Sequence, residues 1–310
     1  MKILLLGANG QVGFELARSL APLGELYPAT RDGYRPSRVR CLVADLADPQ
    51  MLGDTLHDVA PDIVVNAAAY TAVDRAEDDE GIADAVNRQS LVVLGSWAAR
   101  SKALVVHYST DYVFDGQGSR PYREDDATAP LGVYGRSKLA GEQALRESGC
   151  DHLIFRTAWV YAARGQNFLR TMLRLAGERD QVRIVDDQRG APTPARLIAS
   201  ATALALARWL ASDASRRAET LGTYHLCAQG ECTWYEFARS IFQRADSAVL
   251  IGHKPAIFPI TTAEYPTRAR RPAYSVLDTK RIRETFGLHL PPWEEGLDAV
   301  IGELATMQSR

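Results

Sequence analysis

Short apolar segments alternate with helical patterns over the first two-thirds of the chain, and this alternation limits the fold more than any other feature. Several of these segments are apolar on consecutive residues, which is typical of parallel strands covered by helices on both faces. The predicted strands are 2–6, 25–29, 40–44, 62–66, 103–108, 152–156 and 181–185, and the predicted helices are 11–20, 49–59, 79–101 and 131–147. The pattern predicts βαβ units and therefore an α/β fold with a doubly wound parallel sheet.

A glycine-rich loop follows the first predicted strand directly. Its GxxGxxG spacing allows a tight turn, a close approach of backbone to a pyrophosphate, and close packing of the next helix on the strand. The N-terminus of that helix offers free N–H groups and a positive dipole end to phosphates. This placement predicts a dinucleotide site in a Rossmann-type sheet. The predicted contacts in the loop are Gly7, Asn9, Gly10, Gln11, Val12 and Gly13.

The ends of the next strands carry further predicted cofactor contacts. After the second strand, Thr30 and Arg31 stand where an acidic residue would accept from a ribose 2′-hydroxyl. Because arginine favours a 2′-phosphate, we expect NADP(H), with NADH remaining open as an alternative. The other predicted contacts are Asp45 and Leu46 beside the adenine, and Ala67, Ala68 and Ala69 beside the ribose and nicotinamide.

Three side chains form a candidate catalytic group. Thr110 ends the fifth predicted strand, at the carboxyl edge where open α/β sheets bind ligands. Tyr134 and Lys138 share one helix face at positions i and i+4. An ammonium lowers the pKa of a neighbouring phenol and can hold the nicotinamide ribose, and a threonine hydroxyl can orient a substrate carbonyl for hydride attack.

The regular alternation ends after residue 156. A proline-containing loop over 187–194 leads into an Ala-rich helix that ends near residue 211, and Thr233 with Glu236 fits a capping box. The 310 residues are enough for about two domains. We expect an NADP(H)-binding domain over 1–157, with sheet and helix segments returning at about 180–212. Residues 158–179 and 213–310 are expected to form a smaller α/β substrate-binding domain.

Charge and cysteine content exclude several other classes of protein. The 36 basic and 38 acidic residues give a net charge of -2, which leaves no basic field suited to nucleic acid. The longest apolar run, 197–207, is too short to cross a membrane, and the apolar start is too short for a signal peptide. The four cysteines contain no CxxC pair, so we expect reduced thiols and a cytoplasmic protein.

These motifs together resemble the extended short-chain dehydrogenase/reductase superfamily and, within it, the family of dTDP-4-dehydrorhamnose reductases. The resemblance extends in order over nearly the whole chain. Its matching segments are 7–13, 66–74 with 76–77, 109–116, 134–142, 155–161, 167–168, 187–193, 271–272, and positions 275, 277 and 278.

The resemblance implies reduction of a ketone, the C4 carbonyl of dTDP-4-dehydro-6-deoxy-L-mannose, by NADPH to give dTDP-L-rhamnose for cell-surface polysaccharide. Tyr134 would protonate the alkoxide, Lys138 would lower the pKa of that tyrosine, and Thr110 would stabilise the oxyanion. Trp159 would pack against the deoxysugar, and Arg271 would bind the nucleotide diphosphate. The implied substrate contacts are Thr71, Val73, Thr110, Asp111, Tyr112, Trp159, Asn167 and Arg271.

A homodimer and Mg²⁺ are two further properties of some relatives. Glu15 is the candidate metal ligand, but the sequence contains no metal motif and no clear partner carboxylate. Two alternatives stay open beside the reductase. One is a regulatory subunit like the β-subunit of methionine adenosyltransferase, against which the intact Thr110, Tyr134 and Lys138 argue. The other is a nucleotide-sugar epimerase or dehydratase, although Tyr112 stands where a dehydratase would have glutamate.

Overall fold

The computed structural model describes residues 1–308; residues 309 and 310, which the predicted substrate-binding domain includes, lie outside the described residues. The strands are β1 (Lys2–Leu6), β2 (Glu25–Thr30), β3 (Tyr34–Arg35), β4 (Val39–Arg40), β5 (Leu42–Val43), β6 (Ile63–Asn66), β7 (Leu104–Thr110), β8 (His152–Thr157), β9 (Val160–Tyr161), β10 (Gln181–Val185), β11 (Arg189–Gly190), β12 (Thr193–Pro194), β13 (Gly222–His225), β14 (Cys232–Thr233) and β15 (Ala256–Ile260).

The helices alternate with these strands in the first half of the chain. They are α1 (Gln11–Ser19), α2 (Pro49–Val59), α3 (Val73–Ala76), α4 (Glu80–Asp84), α5 (Ser90–Ser101), α6 (Val133–Glu147), α7 (Phe168–Glu178), α8 (Ala195–Ala211), α9 (Ala214–Glu219), α10 (Trp234–Ser247), α11 (Lys280–Phe286) and α12 (Trp293–Gln308). A π-helical segment, Ala85–Gln89, joins α4 to α5, and a 3₁₀ turn, Asp111–Val113, follows β7. Within residues 1–308 we find no helix with the length and apolarity to cross a membrane.

Seven parallel strands form the central sheet, in the order β13-β8-β7-β6-β1-β2-β5. Alternate residues of each buried strand enter different cores: Ile3 and Leu5 pack beneath α1 and α8, whereas Leu4 and Leu6 pack beneath α2 and α5. Continuous apolar runs are therefore needed because both faces of the sheet are covered. The predicted α/β fold with a doubly wound parallel sheet is confirmed.

A second hydrophobic core lies beside the sheet. Helices α7, α10 and α12 enclose it, and its large side chains include Tyr161, Phe237 and Trp293. The predicted capping box starts α10, where Thr233 and Glu236 satisfy each other's backbone N–H groups at 3.1 and 2.8 Å. The second core is thus built from elements that follow residue 157 in the chain.

Two predicted strands differ from the structure. The segment 40–44 is divided between β4, which pairs with β3 in a hairpin, and β5, which ends the central sheet. The segment 181–185 forms β10, but it pairs with β15 and does not return to the central sheet. Its burial alternates, with Gln181 and Arg183 exposed, so only one of its faces can pack on a core. The last sheet position is taken by β13, which was expected in the substrate-binding domain.

Candidate active site

The glycine loop forms a cradle of backbone between β1 and α1. Gly7 has a φ of +77°, and a Cβ atom there would lie 2.7 Å from the backbone nitrogen of Ala68. A Cβ atom on Gly13 would lie 2.0 Å from the carbonyl oxygen of Gly7. In the described part of the chain no side chain caps α1 at Gly10, so the first N–H groups of the helix can bind a ligand. The cradle fits the phosphates of a dinucleotide.

The two residues at the end of β2 that are predicted to select the cofactor, Thr30 and Arg31, lie in different environments. The Thr30 hydroxyl is buried and already used, because it donates to Asp32 Oδ1 at 2.9 Å and accepts from the Tyr34 backbone at 2.9 Å. Arg31 is exposed, and among residues 1–308 it makes no ion pair. The arrangement therefore leaves Arg31 available to a 2′-phosphate and gives Thr30 the role of shaping the turn.

The other predicted cofactor residues lie along the same carboxyl edge. Ala67, Ala68 and Ala69 follow β6 and are half-buried. Leu46 is buried, while the half-buried Asp45 accepts from the Ala47 backbone at 2.9 Å. Small or apolar side chains at this edge leave room above the glycine loop.

Thr110 and Tyr134 meet where β7 ends against the start of α6. Burial raises the pKa of Tyr134 to about 12, and the nearby Thr110 hydroxyl opposes that rise. Tyr112 lies edge-on to the Tyr134 ring, with 5.8 Å between centroids. Gly135 permits this approach, since a Cβ atom there would lie 2.3 Å from the Tyr112 carbonyl oxygen. The phenol thus stays protonated at neutral pH beside a hydroxyl that can bind the same oxygen of a substrate.

Lys138 lies one turn further along α6 and is 2% exposed. Its Nζ atom is 2.6 Å from the Tyr108 carbonyl oxygen and 3.2 Å from His107 Nε2. Burial lowers the pKa of Lys138 to about 7, although the Glu142 carboxylate opposes the shift. Lys138 is therefore bound to β7, and its effect on the pKa of Tyr134 stays a prediction.

Asp111 is a buried acid beside Thr110 and Tyr134. Thr110 Oγ1 donates to Asp111 Oδ1 at 3.0 Å, and only 2% of the residue is exposed. Burial raises the pKa of Asp111 to about 6, and the hydrogen bond from Thr110 opposes that rise. Burial also raises the pKa of the half-buried Tyr112. The site therefore holds two groups, Tyr134 and Asp111, whose neutral forms are favoured by the fold.

Trp159 stacks on Trp234, a residue that the sequence analysis missed. The ring centroids are 3.5 Å apart and the planes differ by 6°. Trp159 is half-buried with a φ of +46°, and Gly190 packs against its ring so closely that a Cβ atom would lie 2.4 Å away. One face of Trp159 is therefore occupied. The position of Trp234 at the start of α10, next to the capping box, was the only available sequence signal.

One predicted substrate contact, Asn167, is used inside the protein. The Asn167 side chain caps α7 through Oδ1, and its amide nitrogen lies 2.8 Å from Gln11 Oε1 and 2.9 Å from the Ala162 carbonyl. The predicted role of Asn167 as a substrate contact is not supported, because each polar atom of its amide already has a partner. The Gln11 contact joins the glycine loop to the second core.

Arg271 is bound to a carboxylate. Its two terminal nitrogens lie 3.1 and 2.6 Å from the oxygens of Asp74 on α3. The predicted diphosphate contact would have to compete with this bidentate pair. Two further predicted substrate contacts, Thr71 and Val73, precede Asp74 in the chain. Thr71 is exposed, and Val73 is half-buried at the first position of α3.

Glu15 does not form a magnesium site. Its carboxylate, 7% exposed, lies 3.3 Å from Arg196 Nε, and Arg196 also lies 2.8 Å from Glu303. Among the described residues, no group of three or more His, Cys, Asp or Glu side chains could hold a metal ion. A guanidinium already stands between the two carboxylates, so these residues do not fit Mg²⁺.

Comparison with known proteins gives full-length similarity. A family model described as RmlD substrate binding domain matches residues 1–306. A dTDP-4-dehydrorhamnose reductase of Burkholderia thailandensis is 50% identical over 308 residues, which are 98% of this chain and 99% of that protein. One from Escherichia coli K12 is 45% identical over 308 residues, 99% of each chain.

A solved structure is also similar over its whole length. It is a dTDP-4-dehydrorhamnose reductase from Bacillus anthracis in complex with NADP, with a TM-score of 0.84 and 32% identity. The match covers 97% of this chain and 99% of that chain. The similarity therefore includes both hydrophobic cores and is not confined to the glycine loop.

Proposed function

Because the chain belongs to the family of dTDP-4-dehydrorhamnose reductases, we propose that it reduces the C4 ketone of dTDP-4-dehydro-6-deoxy-L-mannose to dTDP-L-rhamnose with NADPH. The single observation that carries the chemistry is the meeting of Thr110 with Tyr134, a phenol that burial keeps protonated, at the carboxyl edge of the sheet. One proton and one hydride are added to the carbonyl group. C4 receives the hydride, and the carbonyl oxygen receives the proton.

The chain's own residues handle the proton. Tyr134 is a suitable acid for the alkoxide because burial keeps its phenol protonated well above neutral pH. The Thr110 hydroxyl, which donates to Asp111 Oδ1 in the structure, would turn to donate to the same oxygen as negative charge develops. After transfer, the buried phenolate needs a positive charge nearby, which Lys138 can supply from the same helix.

NADPH supplies the hydride, and the residues of the cradle would hold its phosphates. The helix N-terminus at Gly10 and the exposed Arg31 offer the donors that a pyrophosphate and a 2′-phosphate require. We assign selectivity for NADPH over NADH to Arg31. The nicotinamide ribose would lie near Ala68, Tyr134 and Lys138.

We place the sugar nucleotide between the sheet and the second core. The Trp159–Trp234 stack packs against the second core and presents an aromatic surface suited to a deoxysugar. The division into an NADP(H)-binding part over 1–157 and a substrate-binding part built mainly from 158–179 and 213–310 belongs to this proposal. So do a cytoplasmic location, consistent with four unpaired cysteines, and a homodimer.

A direct assay tests the function. Purified protein with NADPH and dTDP-4-dehydro-6-deoxy-L-mannose should consume NADPH and form dTDP-L-rhamnose, followed by absorbance and by chromatography of the product. Tyr134→Phe should lower kcat by about 100-fold or more, the usual range for loss of a general acid, while NADPH still binds. Lack of turnover with both NADPH and NADH would refute the reductase function.

A further inference from the structure

Behind Lys138 lies a continuous chain of buried hydrogen bonds that the proposed reaction does not use. Ala68 N–H donates to Asn66 Oδ1 at 3.2 Å, and Asn66 Nδ2 lies 3.3 Å from His107 Nδ1. His107 Nε2 then lies 3.2 Å from Lys138 Nζ, which lies 2.6 Å from the Tyr108 carbonyl oxygen. His107 is 0% exposed and Asn66 is 1% exposed.

The strand register explains why these groups meet. Asn66 and His107 are direct partners on the neighbouring parallel strands β6 and β7, so their side chains project on the same face. Lys138 reaches that face from α6. In the sequence His107 is the one ionisable side chain among the apolar residues that begin β7.

The donors and acceptors of this chain fix the position of one proton. The Asn66 amide oxygen accepts from Ala68, so its amide nitrogen faces His107 and can only donate. His107 Nδ1 must therefore be the unprotonated nitrogen, and the neutral ring carries its proton on Nε2. That N–H points at Lys138.

A neutral amine completes the chain, and an ammonium does not. The amine has one lone pair to accept from His107 Nε2–H and two N–H groups, one of which donates to the Tyr108 carbonyl. An ammonium has no lone pair, so it would face the Nε2–H as a second donor. Moving the ring proton to Nδ1 would bring it against the Asn66 N–H group, and rotating that amide would leave Ala68 N–H without its acceptor.

We propose that His107 is a positioning residue that keeps Lys138 as the neutral amine until the dinucleotide binds, and that binding is coupled to uptake of one proton by that lysine. The inference rests on the proposed function, because it takes the ribose hydroxyl oxygens as acceptors that favour the ammonium. The solvent supplies the proton, the Nζ lone pair forms the new N–H bond, and the hydrogen bond from His107 Nε2–H is lost. The charged lysine is then ready to stabilise the Tyr134 phenolate.

The neighbouring charges do not supply another means of controlling the protonation of Lys138. Glu142 is the acidic group that acts on Lys138, and it is paired with Arg156 at 2.7 Å and with Arg146. On the other elements packed against α6, Asp84 pairs with Arg88 and Asp74 pairs with Arg271. The remaining titratable and charged side chains on α6 and its neighbours are Tyr134, Arg136, Glu147, Asp111, Tyr112, Arg75, Glu80, Arg100, Tyr108 and His152.

Isothermal titration of the protein with NADPH in buffers of different ionisation enthalpy measures the coupled proton. At pH 8 the 2′-phosphate, with a second pKa of about 6, is fully ionised and does not contribute. The wild-type protein should take up close to one proton per site at pH 8 and much less at pH 6. The Kd for NADPH should correspondingly rise by up to tenfold per pH unit above neutrality.

Two substitutions replace the N–H donor that faces Lys138 with an acceptor. His107→Gln offers a side-chain oxygen to the ammonium, so proton uptake at pH 8 should fall to less than about half of the wild-type value. Asn66→Asp has nearly the same shape but accepts from Nδ1–H, which leaves Nε2 as an acceptor and should lower the uptake in the same way. The second variant provides the measurement if the first does not fold.

His225→Gln is the matched control. His225 is 0% exposed and lies on β13 of the same sheet, where it packs edge-on against Phe114 and does not contact Lys138. This variant should keep the wild-type proton uptake. Absence of uptake by the wild type at pH 8, or equal uptake by the wild type and a folded His107→Gln or Asn66→Asp variant, overturns the inference. Turnover without proton uptake would overturn it and leave the proposed function intact.

Discussion

Asp111 is a buried acid whose ionisation the fold opposes, and this makes stability depend on pH. Burial raises its pKa from the ordinary 3.8 to about 6, so the carboxylic acid is preferred in the folded protein. The stabilisation of the folded protein by the neutral Asp111 carboxyl is fully present below pH 3.8 and is lost as the pH rises through 6. A difference of about two pH units corresponds to about 3 kcal/mol. Asp111→Asn should therefore raise the free energy of unfolding at pH 8 and have little effect near pH 3.5, measured by urea denaturation.

Asp115 is the matched control with the opposite sign. A hydrogen bond from Tyr122 at 2.6 Å holds the pKa of its carboxyl below the usual value, so its contribution is present at neutral pH and lost in acid. Asp115→Asn should make the protein less stable at pH 7 and change little at low pH. Equal pH profiles for the two variants would contradict the assignment for Asp111.

Arg31 is the residue on which the choice of cofactor depends. Its guanidinium is exposed and has no ion pair within the described part of the chain, whereas a charge-assisted hydrogen bond to a 2′-phosphate contributes about 1.5–3 kcal/mol. Arg31→Ala should therefore weaken NADPH binding by about 10- to 100-fold and leave NADH binding nearly unchanged, measured by fluorescence titration. Arg239→Ala, another exposed arginine but on α10, should alter neither affinity. Equal losses for both cofactors would show that Arg31 does not read the 2′-phosphate.

The sequence could predict individual reactive side chains better than their partners. Thr110 and Tyr134 were identified from a strand end and a helix spacing, and the structure brings them together. Asp74, the partner of Arg271, could not be found, because 197 residues separate the two and only the tertiary fold joins them. The same holds for His107, which a strand pattern places in the sheet without indicating that it faces Lys138.

At the scale of elements, the close contact between β1 and α1 depends on Gly13. A Cβ atom there would meet the Gly7 carbonyl oxygen at 2.0 Å, which forces α1 away from the loop that would hold the phosphates. Gly13→Ala should weaken NADPH binding at least about tenfold by displacing the helix N–H groups. In contrast, a Cβ atom on Gly53 in α2 has no heavy atom within 4 Å. Gly53→Ala should leave binding intact and stabilise the protein by about 0.5–1 kcal/mol in denaturation experiments; similar binding losses for both variants would refute this reading of the loop.

The sequence predicts elements that are buried on both faces or clearly capped. It does not predict how exposed strand segments pair. The strand 2–6 matches β1 residue for residue, and the helix 49–59 matches α2, where Asp48 caps the first turn. The segment 40–44 fails because its residues are mostly exposed at the edge of the sheet, where burial does not fix the pairing. The segment 181–185 was assigned to the wrong sheet because a strand pattern does not identify the neighbouring strand.

At the scale of the whole molecule, Arg196 connects the two cores. It projects from α8, which packs on α1 beneath the central sheet, and it reaches Glu303 on α12, which encloses the second core. Glu15 on α1 completes the cluster and is nearly buried. A buried carboxylate that loses its partner keeps its desolvation penalty, so this arginine stabilises the junction by neutralising both acids.

Because Arg196 occupies this junction, we expect that removal of Mg²⁺ does not destabilise the wild-type protein. We also expect that substitution of Arg196 makes the stability of the protein depend on Mg²⁺. With Arg196 present, EDTA should leave Tm unchanged. Arg196→Gln leaves Glu15 and Glu303 unneutralised, so stability should fall by about 2 kcal/mol and Tm should drop by a few degrees. Because a divalent cation can bridge two carboxylates, millimolar Mg²⁺ should restore much of that loss. Arg244→Gln is the matched control: among residues 1–308, Arg244 pairs with one carboxylate, Asp298 on α12, so its loss should give no response to Mg²⁺. If EDTA lowers the Tm of the wild type, or if both variants respond alike to Mg²⁺, the arginine is not what excludes the metal.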